Sequence, residues 1–181
     1  MLNRIHSPQN CLSSLWDKSF LQERGIASFF LTEKNTFENT PLFDGIFRYL
    51  LIQKGTAQIT ITGLEYFLKP SCLVVLAPEY YCQFTEIGSD FQGSLLLVDK
   101  SYWDTLPASD KMYRHITKVM LQQRQVNLLN QQQHRVVSES IHTIQEKLKL
   151  THHHLKHEII QNALVTFLLE LSNIWIENHW N

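Results

Sequence analysis

Residues 47–84 read FRYLLIQKGTAQITITGLEYFLKPSCLVVLAPEYYCQF, and this run decides the fold. Gly55, Gly63, Pro70 and Pro78 cut it into short pieces, seven or eight residues apart. Residues 56–62 alternate between these breaks, with Ala57, Ile59 and Ile61 on one side and Thr56, Gln58, Thr60 and Thr62 on the other. Successive side chains of a strand point to opposite faces, so the alternation predicts a strand with one dry and one wet face. Residues 72–77, CLVVLA, are apolar throughout, which suits a strand covered on both sides. Upstream, residues 46–54 put Phe47, Tyr49 and Leu51 on one face and Arg48, Leu50 and Ile52 on the other. Both faces are largely apolar, which predicts a central strand. Short strands separated by turn residues at this spacing predict an antiparallel sandwich or small barrel.

Working outward, residues 26–31 (IASFFL) and 91–98 read as two more strands, and residues 32–44 as a polar connection containing Pro41. After the last strand, Asp99 or Ser101 can cap a short helix, with Asp104 three residues beyond Ser101. The last glycine is Gly93 and the last proline Pro107, so the β-type punctuation stops there. A boundary near 107 is expected, with a β-domain over 1–107 and a helical segment over 108–181. In residues 111–124, Ile116, Val119, Met120 and Gln123 recur at helical spacing. In residues 131–150, Val137, Ile141, Ile144 and Leu148 form a narrow apolar stripe. Such a stripe suits a helix–helix seam. Its partner is the chain's own sheet and last helix, a second copy of the chain, or both. Residues 151–154 read as a break, and 155–180 as a helix with a wide apolar face. The predicted class is therefore α+β, an antiparallel β-barrel of jelly-roll type followed by a C-terminal helical segment.

Composition narrows the function. The chain has 181 residues, 44% hydrophobic and 18% charged, with a net charge of −1, as in an ordinary globular protein. A chain of this length buries about 70% of its unfolded surface. Residues 1–107 carry 8 basic and 11 acidic side chains, and residues 108–181 carry 8 and 6. Neither part is a polycation, so this chain alone is a poor candidate for tight nucleic-acid binding. The apolar run 159–176 is interrupted by Gln161, Asn162, Glu170 and Asn173. It falls short of the ~20 mainly apolar residues of a membrane span, and no membrane partner is expected. Cys11, Cys72 and Cys82 are odd in number, match no metal or redox spacing and follow no signal peptide. They read as reduced thiols of a cytoplasmic protein.

The ordered set Lys54-Gly55, Leu68-Lys69-Pro70, residues 73–76 and Pro78 resembles the N-terminal effector-binding domain of AraC-type transcription regulators, a cupin-like jelly roll. The resemblance covers most of residues 25–105, and the helical tail fits the family's order of elements. It implies a small-molecule effector held in the β-domain and homodimerisation through the helices. In some members of that family an N-terminal arm folds over the effector. Trp16 is thus a candidate lid, the alternative being a residue packed on the outside of the barrel. The resemblance also implies a DNA-binding domain of about 100 residues with two helix-turn-helix units beyond Asn181. That domain is absent from this chain, which is expected to be a piece of a longer regulator that reaches DNA only through it.

Cupin enzymes hold metal with a His-x-His pair, a third His and a carboxylate. Here no histidine lies between His6 and His115, and Tyr81-Cys82 stands where such sites place the later histidine. A lone cysteine assembles no metal centre. Ser71, Ser89 and Ser94 lack a G-x-S-x-G elbow, and the six glycines form no phosphate-cradling loop. No catalytic residue, metal or cofactor is expected. His153 and His157, four apart, could bind zinc with Glu158 on a helix; the alternative is a solvated helix junction.

A ligand remains the expected occupant of the barrel. Arg48 is a charge in an apolar strand, and a buried charge is costly without partners. Either its head reaches solvent at the strand end, or it faces a polar pocket for an anionic or hydroxylated ligand. Tyr49 and Tyr66 are further candidates, because a phenol facing a barrel interior wants a hydrogen-bond partner. Phe47, Phe84 and Phe91 supply other rings, and Tyr80, Tyr81 and Trp103 stand near the ends. The alternatives to a sensor are a cupin-fold small-molecule enzyme and a helical homodimerisation module with no effector.

Overall fold

A computed structural model describes residues 25–36, 45–106 and 111–180. Among these, seven strands precede the helical tail: β1 Ile26–Thr32, β2 Ile46–Lys54, β3 Ala57–Ile61, β4 Leu64–Leu68, β5 Cys72–Leu76, β6 Cys82–Ile87 and β7 Gln92–Asp99. The tail comprises α1 Lys100–Thr105, α2 Lys111–Gln123, a short strand β8 Val126–Leu128, α3 Gln131–Leu148 and α4 Lys156–Trp180.

The strands form two antiparallel sheets. One has the order β1-β7-β2-β5-β8, the other β4-β3-β6. The sheets face each other as a barrel-like sandwich, and their ladders are not joined into a closed barrel. β2 is central, as its two apolar faces predict. It pairs with β5 through Arg48↔Leu76 and Tyr49↔Val75, and with β7 through Arg48↔Leu97 and Tyr49↔Leu96. The β3–β4 hairpin closes through Thr62 and Gly63, both at positive φ, 48° and 84°. Two such residues give the turn whose twist matches a two-residue hairpin.

Two cores lie on opposite faces of the larger sheet. Between the sheets pack Leu50 and Ile52 of β2, Ala57, Ile59 and Ile61 of β3, and Phe84, Phe91, Leu95 and Leu97. On the other face Phe47, Tyr49, Leu51, Leu73, Val75, Leu96 and Val98 meet the helices. The molecule therefore has three layers: helices, five strands, three strands.

The helical tail shares this second core. Val137, Ile141 and Ile144 of α3 and Leu164, Phe167, Leu168 and Leu171 of α4 are buried in it, each at most 1% exposed, with Leu148 partly buried. The narrow stripe on α3 is therefore spent inside the chain, against its own sheet and α4. Val137, Ile141 and Ile144 thus have no exposed surface in the chain, whereas Leu148 at the end of the stripe is only partly buried. Asn130 caps α3 in a reciprocal box with Gln133. The Gln133 amide also donates to Asn178 (3.1 Å), tying the start of α3 to the end of α4.

The tail also enters the sheet. β8 pairs with β5 through Cys72↔Leu128 and Val74↔Val126. Three residues give no periodicity, so the sequence offers no sign of this strand. α1 is capped by Asp99, whose carboxylate accepts from the Ser101 amide (2.7 Å). Gly25 opens β1 at φ +64°, and a Cβ there would lie 2.4 Å from the Cβ of Tyr102, so only glycine fits under α1.

Candidate ligand site

Alternation along β2 fixes where its side chains go. Arg48 pairs with Leu76 and Leu97, two residues of the core between the sheets, so its side chain enters the sandwich. It is 1% exposed. Its guanidinium donates to the carbonyls of Ala77 (3.0 Å) and Tyr80 (2.5 Å) in the β5–β6 connection. Burial lowers the pKa of Arg48, while the Cys82 and Glu79 side chains oppose the shift. A guanidinium stays charged in proteins, so the sandwich interior contains a cation solvated by backbone oxygens.

Cys82 lies on β6 facing that cation. Burial pushes its thiol up to about 12, with Arg48 pulling the other way. A thiol protonated at neutral pH is a poor nucleophile. Around these groups stand rings: Phe84 and Phe91 meet edge to face at 5.7 Å. Tyr66, opposite Ile59 on β4, and Tyr80 are partly buried against the same core. A fixed fork of donors among aromatic and aliphatic walls is suited to orienting a small anionic or hydroxylated molecule.

Arg48 and Tyr66 both face the core between the sheets, and Tyr80, whose carbonyl Arg48 bonds, packs against both cores. Tyr49 and Trp103 do not join them. Tyr49 lies on the opposite face of β2, fully buried, edge-on to Phe167 at 5.2 Å. Its hydroxyl is buried with no hydrogen-bond partner, and burial raises its pKa. Trp103 sits in α1 with its ring 5.0 Å from Phe47, also on the helix side. The expectation that Phe47 and Tyr49 line the interior thus fails, because the helices, and not the second sheet, cover that face. Trp16 falls outside the described residues. Sequence reasoning missed the Ala77 and Tyr80 carbonyls, since main-chain acceptors leave no mark on side-chain identity.

The histidine pair is not on one helix. α4 begins at Lys156, so His153 precedes it, and the His153 ring accepts from the Leu155 amide (3.2 Å). His157 is edge-on to Tyr102 at 5.5 Å. Among the described residues no three of His, Cys, Asp or Glu are grouped to hold a metal.

No family model and no curated protein matches the chain. Solved structures do. The AraC-like transcriptional activator CuxR matches 83% of this chain and 48% of its own length, at 11% identity and a TM-score of 0.51. This chain has the fold of that part of an AraC-like regulator. ToxT from Vibrio cholerae is similar over 86% of this chain and 55% of its own, at 13% identity and a TM-score of 0.47. A cupin 2 conserved barrel domain protein from Salinispora arenicola is similar over 44% of this chain and 66% of its own, at 14% identity and a TM-score of 0.35. The chain spans about half the length of the two regulators.

Proposed function

We propose that the chain is the ligand-sensing part of an AraC-type transcription regulator, cytoplasmic, and coupled to DNA through a domain outside residues 1–181. In this reading residues up to 107 hold the effector and residues 108–181 relay its binding. The observation that carries the reading is Arg48: a buried cation, held by carbonyls of one loop, inside a fold shared with an AraC-like activator. The carbonyls of Ala77 and Tyr80 offset the cost of burying this cation, and an anionic or hydroxylated ligand would compete with them for it. The class of effector is a small carboxylate or polyhydroxylated molecule.

β2 supplies the route from ligand to helices. Arg48 points into the sandwich, while its neighbours Phe47 and Tyr49 press on Trp103 and Phe167. A ligand that takes the guanidinium away from the carbonyls of Ala77 and Tyr80 changes the β5–β6 loop and the set of β2. It shifts the helices only as far as it binds one arrangement better than the other. The reading is of a sensor and not an enzyme. It is supported by a sequence without histidine from residue 7 to 114 and by a Cys82 thiol held protonated.

The test is a thermal-shift screen of small acids and sugars on the wild type and on Arg48→Met. A true effector at about 100 times its Kd stabilises the wild type by about 2.7 kcal/mol. It leaves Arg48→Met unmoved. Equal stabilisation of the variant, or no hit across the panel, removes Arg48 as the effector anchor.

The same reading includes a homodimer. With the α3 stripe internal, the surface we assign is the outer side of α4, where Leu169 is 40% exposed and Val165 and Ile176 are half-buried at helical spacing. Against the expectation from residues 159–176, α4 does reach the length and apolarity of a membrane span, a test that a core helix also passes, and 44% of its most apolar window is buried inside the chain. A second copy on that outer side accounts for the remaining apolar character. Leu169→Glu then yields monomer by light scattering, and an unchanged dimer places the contact elsewhere.

A further inference from the structure

A cavity of about 550 Å³ opens outside the sandwich between β1 and the α3–α4 junction. Its apolar side is Phe29, Phe30 and Leu148, with Phe30 half exposed. Its polar side includes Ser28 and Gln145, joined by a hydrogen bond of 3.0 Å that ties α3 to β1. Ser28 in turn donates to the Leu95 carbonyl (3.0 Å), so these two groups are committed to the framework. The remaining polar groups include two cations, Lys149 and Lys156.

The cations differ in how they are held. Lys156 donates to the carbonyls of Leu148 and Leu150, which fixes its ammonium at the C-terminal end of α3. Lys149 is on the surface, paired with Glu146 at 2.7 Å, with both side chains largely solvated. An exposed pair of this kind contributes little and is readily exchanged for another anion. Among the described residues, the cavity lining contains these two lysines and no carboxylate. A cleft walled by one sign of charge concentrates ligands of the other.

We propose that this cavity binds a small amphipathic anion, an aromatic or short aliphatic body bearing one carboxylate, sulfonate or phosphate. The apolar body lies on Phe30 and Leu148, and the anionic head exchanges for Glu146 at Lys149 with Lys156 behind it. The cavity has the size of a small-molecule site. Because its walls come from β1, α3 and the start of α4, an occupant bridges the sheet edge to the helix pair. The site is separate from the Arg48 interior and stands independently of the sensor reading.

The probe is 8-anilinonaphthalene-1-sulfonate, titrated by fluorescence, with neutral N-phenyl-1-naphthylamine as its matched control. The sulfonate is expected to saturate a single site and to bind at least about tenfold tighter than the neutral compound. Lys149→Glu and Phe30→Asp each weaken it by about tenfold or more, without lowering the melting temperature, while Arg48→Met leaves it unchanged. Unsaturable binding, or equal affinity in Lys149→Glu and Phe30→Asp, overturns the proposal. Loss of binding in Arg48→Met alone also overturns it, by placing the probe inside the sandwich, and leaves the sensor reading standing.

Discussion

The two faces of β2 build two different interiors from neighbouring residues. On the helix side Phe47, Tyr49 and Leu51 enter a core of aliphatic and aromatic groups, and the polar atom they bring, the Tyr49 hydroxyl, has no partner. On the sandwich side Arg48 brings a full charge and finds two carbonyls. An unpaired hydroxyl costs on the order of 1–3 kcal/mol, which a large core absorbs. An unsolvated guanidinium would cost several times more, so a loop is shaped around it. Polarity is thus tolerated on one face and organised on the other, and the organised face is where a ligand has something to bind.

The comparison breaks first on the helix side. Ile141 is 1% exposed in the core that joins α3 to the sheet. Ile141→Glu puts a carboxylate there without a partner, at a cost of about 3–5 kcal/mol. We expect it to lose cooperative thermal unfolding by circular dichroism. A variant that melts like the wild type and only changes its oligomeric state would return α3 to a subunit interface.

Arg48→Met probes the other face and is expected to cost less. It relieves the burial of a cation but orphans the carbonyls of Ala77 and Tyr80, for a net loss of about 1–2 kcal/mol. Chemical denaturation measures it. A loss as large as that of Ile141→Glu would make Arg48 a structural keystone in place of a binding group.

Much of this was legible in the sequence. The apolar character of both faces of residues 46–54 announces a strand covered on two sides, and Arg48 stands out because it interrupts one of them. What the pattern does not reveal is which face meets helices and which meets the second sheet, since aliphatic residues serve both. Offering both Arg48 and Tyr49 for one interior goes against the strand's own period, which puts adjacent side chains on opposite faces. β8 was illegible because three residues carry no period. The cavity at β1 was illegible for another reason: Ser28 and Gln145 lie 117 positions apart, and only the packing of α3 on the sheet joins them.

The smallest effect is the most discriminating. Tyr49→Phe removes the orphan hydroxyl and keeps the ring on Phe167, so it is expected to be neutral or to stabilise by up to about 1 kcal/mol. The same group sets a pH dependence. Burial raises the pKa of Tyr49 above its unfolded value of 10.0, and pushes Cys82 from 9.0 to about 12. In each case the folded state retains a proton that the unfolded chain releases. Their contribution is therefore fully present below pH 9 and falls as pH rises through the unfolded values toward the folded ones. Alkaline unfolding followed by circular dichroism should begin above pH 9 in the wild type, and Tyr49→Phe should resist the part that sets in above pH 10. An identical alkaline profile in the variant would mean that the hydroxyl reaches solvent, and the two faces of β2 would then differ less than their contacts imply.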